Sequence, residues 1–298
     1  MNMKLLVIYT LHVFFFISAC SQVDDKKEYN SEKKKADVIS TTDTIHHYNF
    51  ESPDKVWEMP AQLREISGIC FNKEGKMLAE QDQKGEIFIY NLQTNNVEKV
   101  IKFSSKGDFE DIAYKNDTVF VLRSDGIIFR VENYLSATPV ITQISTFLNA
   151  ENNTEGLCYD SENNRLLLAC KGNSGIKEAH KSTRSVYTVT LADNKMKPNP
   201  VFIITKKEMK DIFGDDIEID PSAIAINPIT KNIFILGTRK VKVLTELSPT
   251  GKLLHVTKLT NPLFIQPEGI TFDKNGDMYI SNEGKDKSGN ILLFKYKK

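Results

Sequence analysis

Glu268–Gly284 reads EGITFDKNGDMYISNEG, and this stretch decides the fold. Ile270 and Phe272 alternate with Gly269 and Thr271, DKNGD (273–277) supplies turn chemistry, and Met278–Ile280 resumes an apolar run. That order is a β-hairpin closed around an Asn-Gly turn. The same pattern occurs four more times: SGICFNKEGKMLAE from Ser67, EDIAYKNDTVFVLRSDG from Glu110, EGLCYDSENNRLLLACKG from Glu155 and SAIAINPITKNIFILGT from Ser222. The starting residues are spaced 43, 45, 67 and 46 apart. A period of about 45 residues is that of a four-stranded propeller blade.

The chain between these hairpins supplies the remaining strands. Glu86–Tyr90 and Gly126–Val131 are third strands of the first two blades, with Val97–Phe103 and Val140–Phe147 as fourth strands. Val186–Leu191 and Val201–Thr205 complete the third blade, Val241–Leu247 and Lys252–Leu259 the fourth. Only Asn290–Tyr296 follows the last hairpin, so its outermost strand must come from Tyr48–Met59. The expectation is an all-β, five-bladed propeller whose N- and C-terminal strands pair, which removes free sheet edges. The spacing of 67 carries a surplus of about 22 residues, half a blade. We read it as two long loops, Lys171–Thr183 and Lys206–Asp220, the second with a short helix. A six-bladed ring is the alternative if that insertion pairs into a sheet.

Residues 1–20 stand outside this repeat. MNMKLLVIYTLHVFFFISAC has a basic start at Lys4, an apolar run too short to span a bilayer comfortably and a small-residue end, the layout of a secretory signal peptide. Ile17-Ser18-Ala19-Cys20 resembles the bacterial lipobox, which implies cleavage before Cys20 and acylation of that residue. Several acyl chains would hold a protein on a membrane far more firmly than one. An uncleaved N-terminal anchor with an incidental Cys is the competing reading. Residues 21–47 (SQVDDKKEYNSEKKKADVISTTDTIHH) are polar and charged, a flexible tether between anchor and propeller domain 48–298. The sequence thus predicts a lipid-anchored envelope protein, at the outer membrane or cell surface.

The 39 basic and 39 acidic residues balance, so the basic footprint that nucleic acid requires is missing. Four Cys among 298 residues are too few for a disulfide scaffold. Cys158 and Cys170 share a hairpin, but a turn at Ser161–Asn164 leaves them out of register, and Cys70 lies two blades away from Cys158.

The openings LREISGICF, FEDIAY, TEGLCYD, DPSAIAINPITKNIFIL and QPEGITFDKNGDMYIS resemble those of the SdiA-regulated family, over about Leu63–Tyr296. The resemblance implies a five-bladed propeller distantly similar to NHL repeats, with a bound calcium ion and no assigned enzymatic activity.

The residues themselves point the same way. Inner strands line a propeller's channel, so the aligned positions Ser67, Glu110, Glu155, Ser222 and Glu268 converge at one mouth. Where Ser stands, an acid lies two residues earlier, Glu65 and Asp220, on the same face of a regular strand. Five crowded carboxylates repel one another, and a hard cation with oxygen ligands relieves this, Ca²⁺ better than Mg²⁺. Glu110, Glu155, Glu268, Glu65 and Asp220 are therefore the candidate metal ligands. The alternative is a salt-bridged polar channel neutralised by Arg123, Lys171 and Arg239. Glu80, Asp82 and Glu283 read as turn residues. No partnered nucleophile or catalytic motif is present, which favours a binding module with a protein or small-molecule ligand at the funnel. A Ca²⁺-dependent hydrolase, lactonase-like or phytase-like, using the mouth carboxylates is the second reading, by analogy of fold.

Overall fold

The structure is a computed structural model and describes residues 47–214, 217–238 and 241–297. Five antiparallel sheets follow one another along the chain, so the surplus between Glu155 and Ser222 does not form a sixth blade. The inner strands are Ile66–Phe71, Phe109–Lys115, Thr154–Asp160, Pro221–Ile226 and Pro267–Phe272. Each is followed by its hairpin partner and then by outer strands, which is the order the apolar alternation demands. The third blade is irregular at its rim, where Lys195–Met196 and Phe202–Ile204 both pair with Arg184–Thr190. The insertion after it carries the expected helix, Lys206–Phe213, started by a capping box between Thr205 and Glu208 and ended by Gly214 in the left-handed region.

The ring closes where the strand count required. Lys55–Glu58 pairs antiparallel with Asn290–Phe294, bringing Lys55 opposite Leu293 and Glu58 opposite Asn290. Tyr48 extends the closure: its hydroxyl donates to Gly276 O at 2.7 Å and accepts from Asn227 Nδ2 at 2.7 Å, joining blades five and four. Core side chains lie between adjacent blades. Leu78, Ile87 and Phe103 of blade one pack with Phe109, Val119 and Phe129 of blade two, the three phenylalanines edge to face. Each such buried side chain contributes roughly 1.5–3 kcal/mol, so blade-to-blade contact holds the circle together. Cys158 stands opposite Leu167 and Cys170 opposite Thr154, and Cys70, Cys158 and Cys170 are free thiols, as the register argument requires.

The five inner hairpins share a feature that alternation cannot show. Register shifts occur between Ile66 and Ile69, Phe109 and Asp111, Thr154 and Gly156, Pro221 and Ala223, and Pro267 and Gly269. The bulged residues include Ser67, Glu110, Glu155, Ser222 and Glu268. A bulge re-aims its side chain and breaks the two-residue period of the strand. No helix among the described residues is long and apolar enough to cross a membrane. The signal peptide, Cys20, nearly all of the tether, and Arg239 lie outside the described residues.

Candidate functional site

The residue after each bulge decides how closely the inner strands approach the axis. It is Gly68, Asp111, Gly156, Ala223 and Gly269 in chain order: small in four blades, acidic in one. A Cβ on Gly68 would stand 2.5 Å from Asp111 Cα and from Asp111 Oδ1, so the second blade fills the space that the others leave. The Asp111 carboxylate is 1% exposed and accepts from Ile112 N at 2.8 Å, Leu157 N at 2.7 Å and Ile224 N. It thereby ties three inner strands together and satisfies N–H groups that have no ladder partner at the axis. Ser67 Oγ donates to Glu110 O at 2.8 Å, and Ser281 Oγ to Ser67 O at 2.6 Å.

Above this plug lies the acidic mouth. Glu110, Glu155 and Glu268 share one electrostatic neighbourhood: Glu155 raises the affinity of both Glu110 and Glu268 for protons, and Lys171 opposes this at all three. Burial is the leading cause at each. It holds the Glu110 and Glu155 carboxyls above the usual carboxylate range and pushes Glu268 up to about 7. Glu155 is the most tightly engaged, its Oε2 2.6 Å from Lys171 Nζ and its Oε1 accepting from Asn153 Nδ2 at 2.6 Å.

Further carboxylates extend the cluster. Glu80 is fully buried in the first blade, accepts from Gly68 N at 2.7 Å through Oε1, and is pushed by burial to about 8. Its Oε2 has no partner. Asp82, with a buried unpartnered Oδ1, is raised to about 6 by burial and then by Glu65 and Glu283. Asp108 acts on Asp82, Glu110 and Glu155, and so links the two halves of the mouth. Gln266 donates to Glu283 and also bonds Glu268.

The five acids singled out from the repeat are therefore placed unequally. Glu110, Glu155 and Glu268 lie within electrostatic reach of one another through Glu155; Glu65 faces Asp82 and Glu283 and pairs with Arg64 at 3.2 Å. Asp220 is engaged by the buried Arg184 guanidinium. The same-face argument for Asp220 and Ser222 assumed a regular strand, and the bulge between Pro221 and Ala223 breaks that parity. Of the neutralising cations, Lys171 does reach a mouth acid, whereas Arg123 forms a two-pronged pair with Asp125 at 2.9 and 2.7 Å. Glu80, Asp82 and Glu283 belong to the mouth and not merely to turns. Asp108, Asp111, Gln266 and Arg184 are the residues that pattern reading missed. Only Asp111 left a trace in sequence, as the one acid in a column of small residues.

The mouth offers hard oxygen donors, which suits a cation of the Ca²⁺ type in chemistry. Among the described residues, no three His, Cys, Asp or Glu side chains are grouped closely enough to enclose a metal ion. Lys171 is the cation that the acids already hold.

The model of the SdiA-regulated family matches residues 44–285. No curated protein sequence is similar enough to this chain to match it. Among solved structures, the glutaminyl cyclase of Myxococcus xanthus is similar in fold, with 13% identity, a TM-score of 0.54, and coverage of 83% of this chain and 97% of that one. A protein of unknown function from Bacteroides thetaiotaomicron gives 12% identity, a TM-score of 0.52, and coverage of 78% and 56%. A luciferin-regenerating enzyme gives 14% identity, a TM-score of 0.50, and coverage of 82% and 95%. At these identities the likeness is one of fold.

Proposed function

This chain belongs to the SdiA-regulated family, and on that premise we propose that it is a lipid-anchored binding module of the cell envelope whose acidic mouth takes up Ca²⁺. The observation that carries the reading is electrostatic. Glu110, Glu155 and Glu268 all act on the single ammonium of Lys171, Asp108 and Glu80 add negative charge beside Glu110, and burial raises every one of the three glutamates toward its protonated form. A divalent cation in competition with Lys171 would hold these groups ionised without repulsion. Glu110, Glu155 and Glu268 would supply ligand oxygens, and backbone carbonyls and water complete such a shell. Placement at the membrane is supported by the Ile17–Cys20 lipobox and the polar run 21–47.

Calorimetric titration and thermal melting of the protein test the cation. Ca²⁺ should raise the melting temperature, and Glu110→Gln should shrink that gain. A melting curve that millimolar Ca²⁺ leaves unchanged removes the site. Screening against lactones, phosphate esters and sugars, with and without EGTA, tests the binding role. Turnover that Glu155→Ala abolishes in a folded protein would replace the binder by a hydrolase. Cys20→Ala should release the protein from the membrane fraction if the anchor is as described.

A further inference from the structure

The two departures from the repeat meet at one place. The loop after Arg165–Cys170 and the segment linking blade three to blade four enclose a cavity of about 690 Å³ beside the acidic mouth. Such a volume suits a small organic molecule better than a bare ion. The wall formed by the first loop is fixed before any ligand arrives. Asn152 Nδ2 donates to Asn173 O at 2.9 Å, while Ser185 Oγ and Tyr187 OH both donate to Ser174 O, at 2.7 and 2.9 Å. A pre-ordered wall spares a ligand the entropy of ordering it.

The polar groups facing this space are unequal in kind. Its acids have basic partners: Asp220 is paired with Arg184, and Glu218 lies 3.2 Å from Lys206 Nζ. Its bases retain capacity. Lys181 is exposed and has no acid partner among the described residues. Arg184 is 4% exposed, and its guanidinium, which donates to Lys181 O, Thr183 O and Asp220, adds a fixed positive charge to the wall. His180 Nδ1 lies 2.6 Å from Ser182 Oγ and 3.2 Å from Ser182 N; the tautomer that accepts from this N–H, and equally the imidazolium, carries a proton on Nε2 as a further donor. Donors in excess of free acceptors, gathered in one cavity, match an oxyanion.

We propose that this cavity binds a small organic oxyanion, a molecule carrying a carboxylate or phosphate group, with Lys181 and His180 as its donors and the Arg184 guanidinium as a fixed charge behind them. The site does not depend on a cation in the mouth, and Lys171 lines the boundary between the two.

Isothermal titration of the full-length protein in EGTA with citrate, inorganic phosphate and glucose 6-phosphate tests it. At least one should bind with a sub-millimolar Kd. Lys181→Glu and His180→Gln should each weaken that binding about tenfold while leaving the melting temperature unmoved, since both residues are exposed. Lys274→Glu, an equal charge change outside the cavity, should leave it intact. Citrate alone would mark a carboxylate site; phosphate and glucose 6-phosphate together would mark a phosphate site. Absence of binding by all three at about 10 mM, or binding indifferent to Lys181→Glu, overturns the proposal.

Discussion

Lys171 Nζ lies 2.6 Å from Glu155 Oε2, and the same ammonium acts on Glu110 of blade two and Glu268 of blade five. One internal cation thus moderates three inner-strand carboxylates. Lys171→Met should lower the melting temperature in EGTA, because Glu155, with its side chain 7% exposed, is left without its countercharge. With the competitor gone, Ca²⁺ should bind about tenfold more tightly and recover the lost stability. Calorimetry on both forms decides the matter: looser Ca²⁺ binding by Lys171→Met would show that the lysine assists the cation and does not compete with it.

The mouth acids also set a pH dependence. Glu268 rises from 4.5 to about 7, Glu80 from 4.5 to about 8 and Asp82 from 3.8 to about 6, all chiefly through burial. In each case the folded chain holds its proton more tightly than the unfolded chain. Their contribution to stability is therefore intact below about pH 4 and is lost as pH rises through about 8. In EGTA the protein should melt at a higher temperature near pH 5 than near pH 8.5, and Ca²⁺ should narrow the gap by favouring the ionised forms. A melting temperature that climbs steadily with pH across that window would contradict the assignment.

The blades were legible because each hairpin carries its own period-two pattern and turn, and five copies in register leave few other architectures. Glu110, Glu155 and Glu268 were legible for the same reason: they occupy one column. The partner of Asp220 was not, because a bulge changes which way a side chain points without changing any residue type. Nor was Arg184, whose role depends on two insertions meeting in space. Glu80 lies on a second strand, and its burial follows from the bulge that brings Gly68 N to it. Pattern reading finds what repeats; the bulges and insertions, which adapt the repeat, decide the rest.

Asp111 should behave unlike the mouth glutamates. Removing its carboxylate in Asp111→Ala leaves Leu157 N and Ile224 N buried without acceptors. A loss of about 2–6 kcal/mol is expected, at about 1–3 kcal/mol for each orphaned donor. Urea unfolding measures it, and Ca²⁺ should not restore the deficit, since the plug holds strands and no cation. Glu110→Gln, by contrast, should cost little without Ca²⁺, because it replaces a carboxyl that burial already drives toward neutrality. Equal losses for the two variants would refute the division between plug and mouth.

A final prediction concerns the hairpin turns opposite the mouth. All five inner hairpins place one turn residue in the left-handed region: Gly75, Asn116, Asn164, Lys231 and Gly276, with φ between 48° and 87°. Gly adopts this freely and Asn tolerates it, whereas a long side chain with a Cβ is strained there by about 1 kcal/mol. Lys231 is the exception among the five, and its pair with Glu162 at 3.1 Å is too exposed to offset much strain. Lys231→Gly should therefore stabilise the protein by about 0.5–1 kcal/mol, while Lys231→Ala, which keeps the Cβ and loses the pair, should not. Urea midpoints at unchanged slope give the comparison. Should the Gly variant be no more stable than the Ala variant, the turn of the fourth blade does not obey the geometry of the other four.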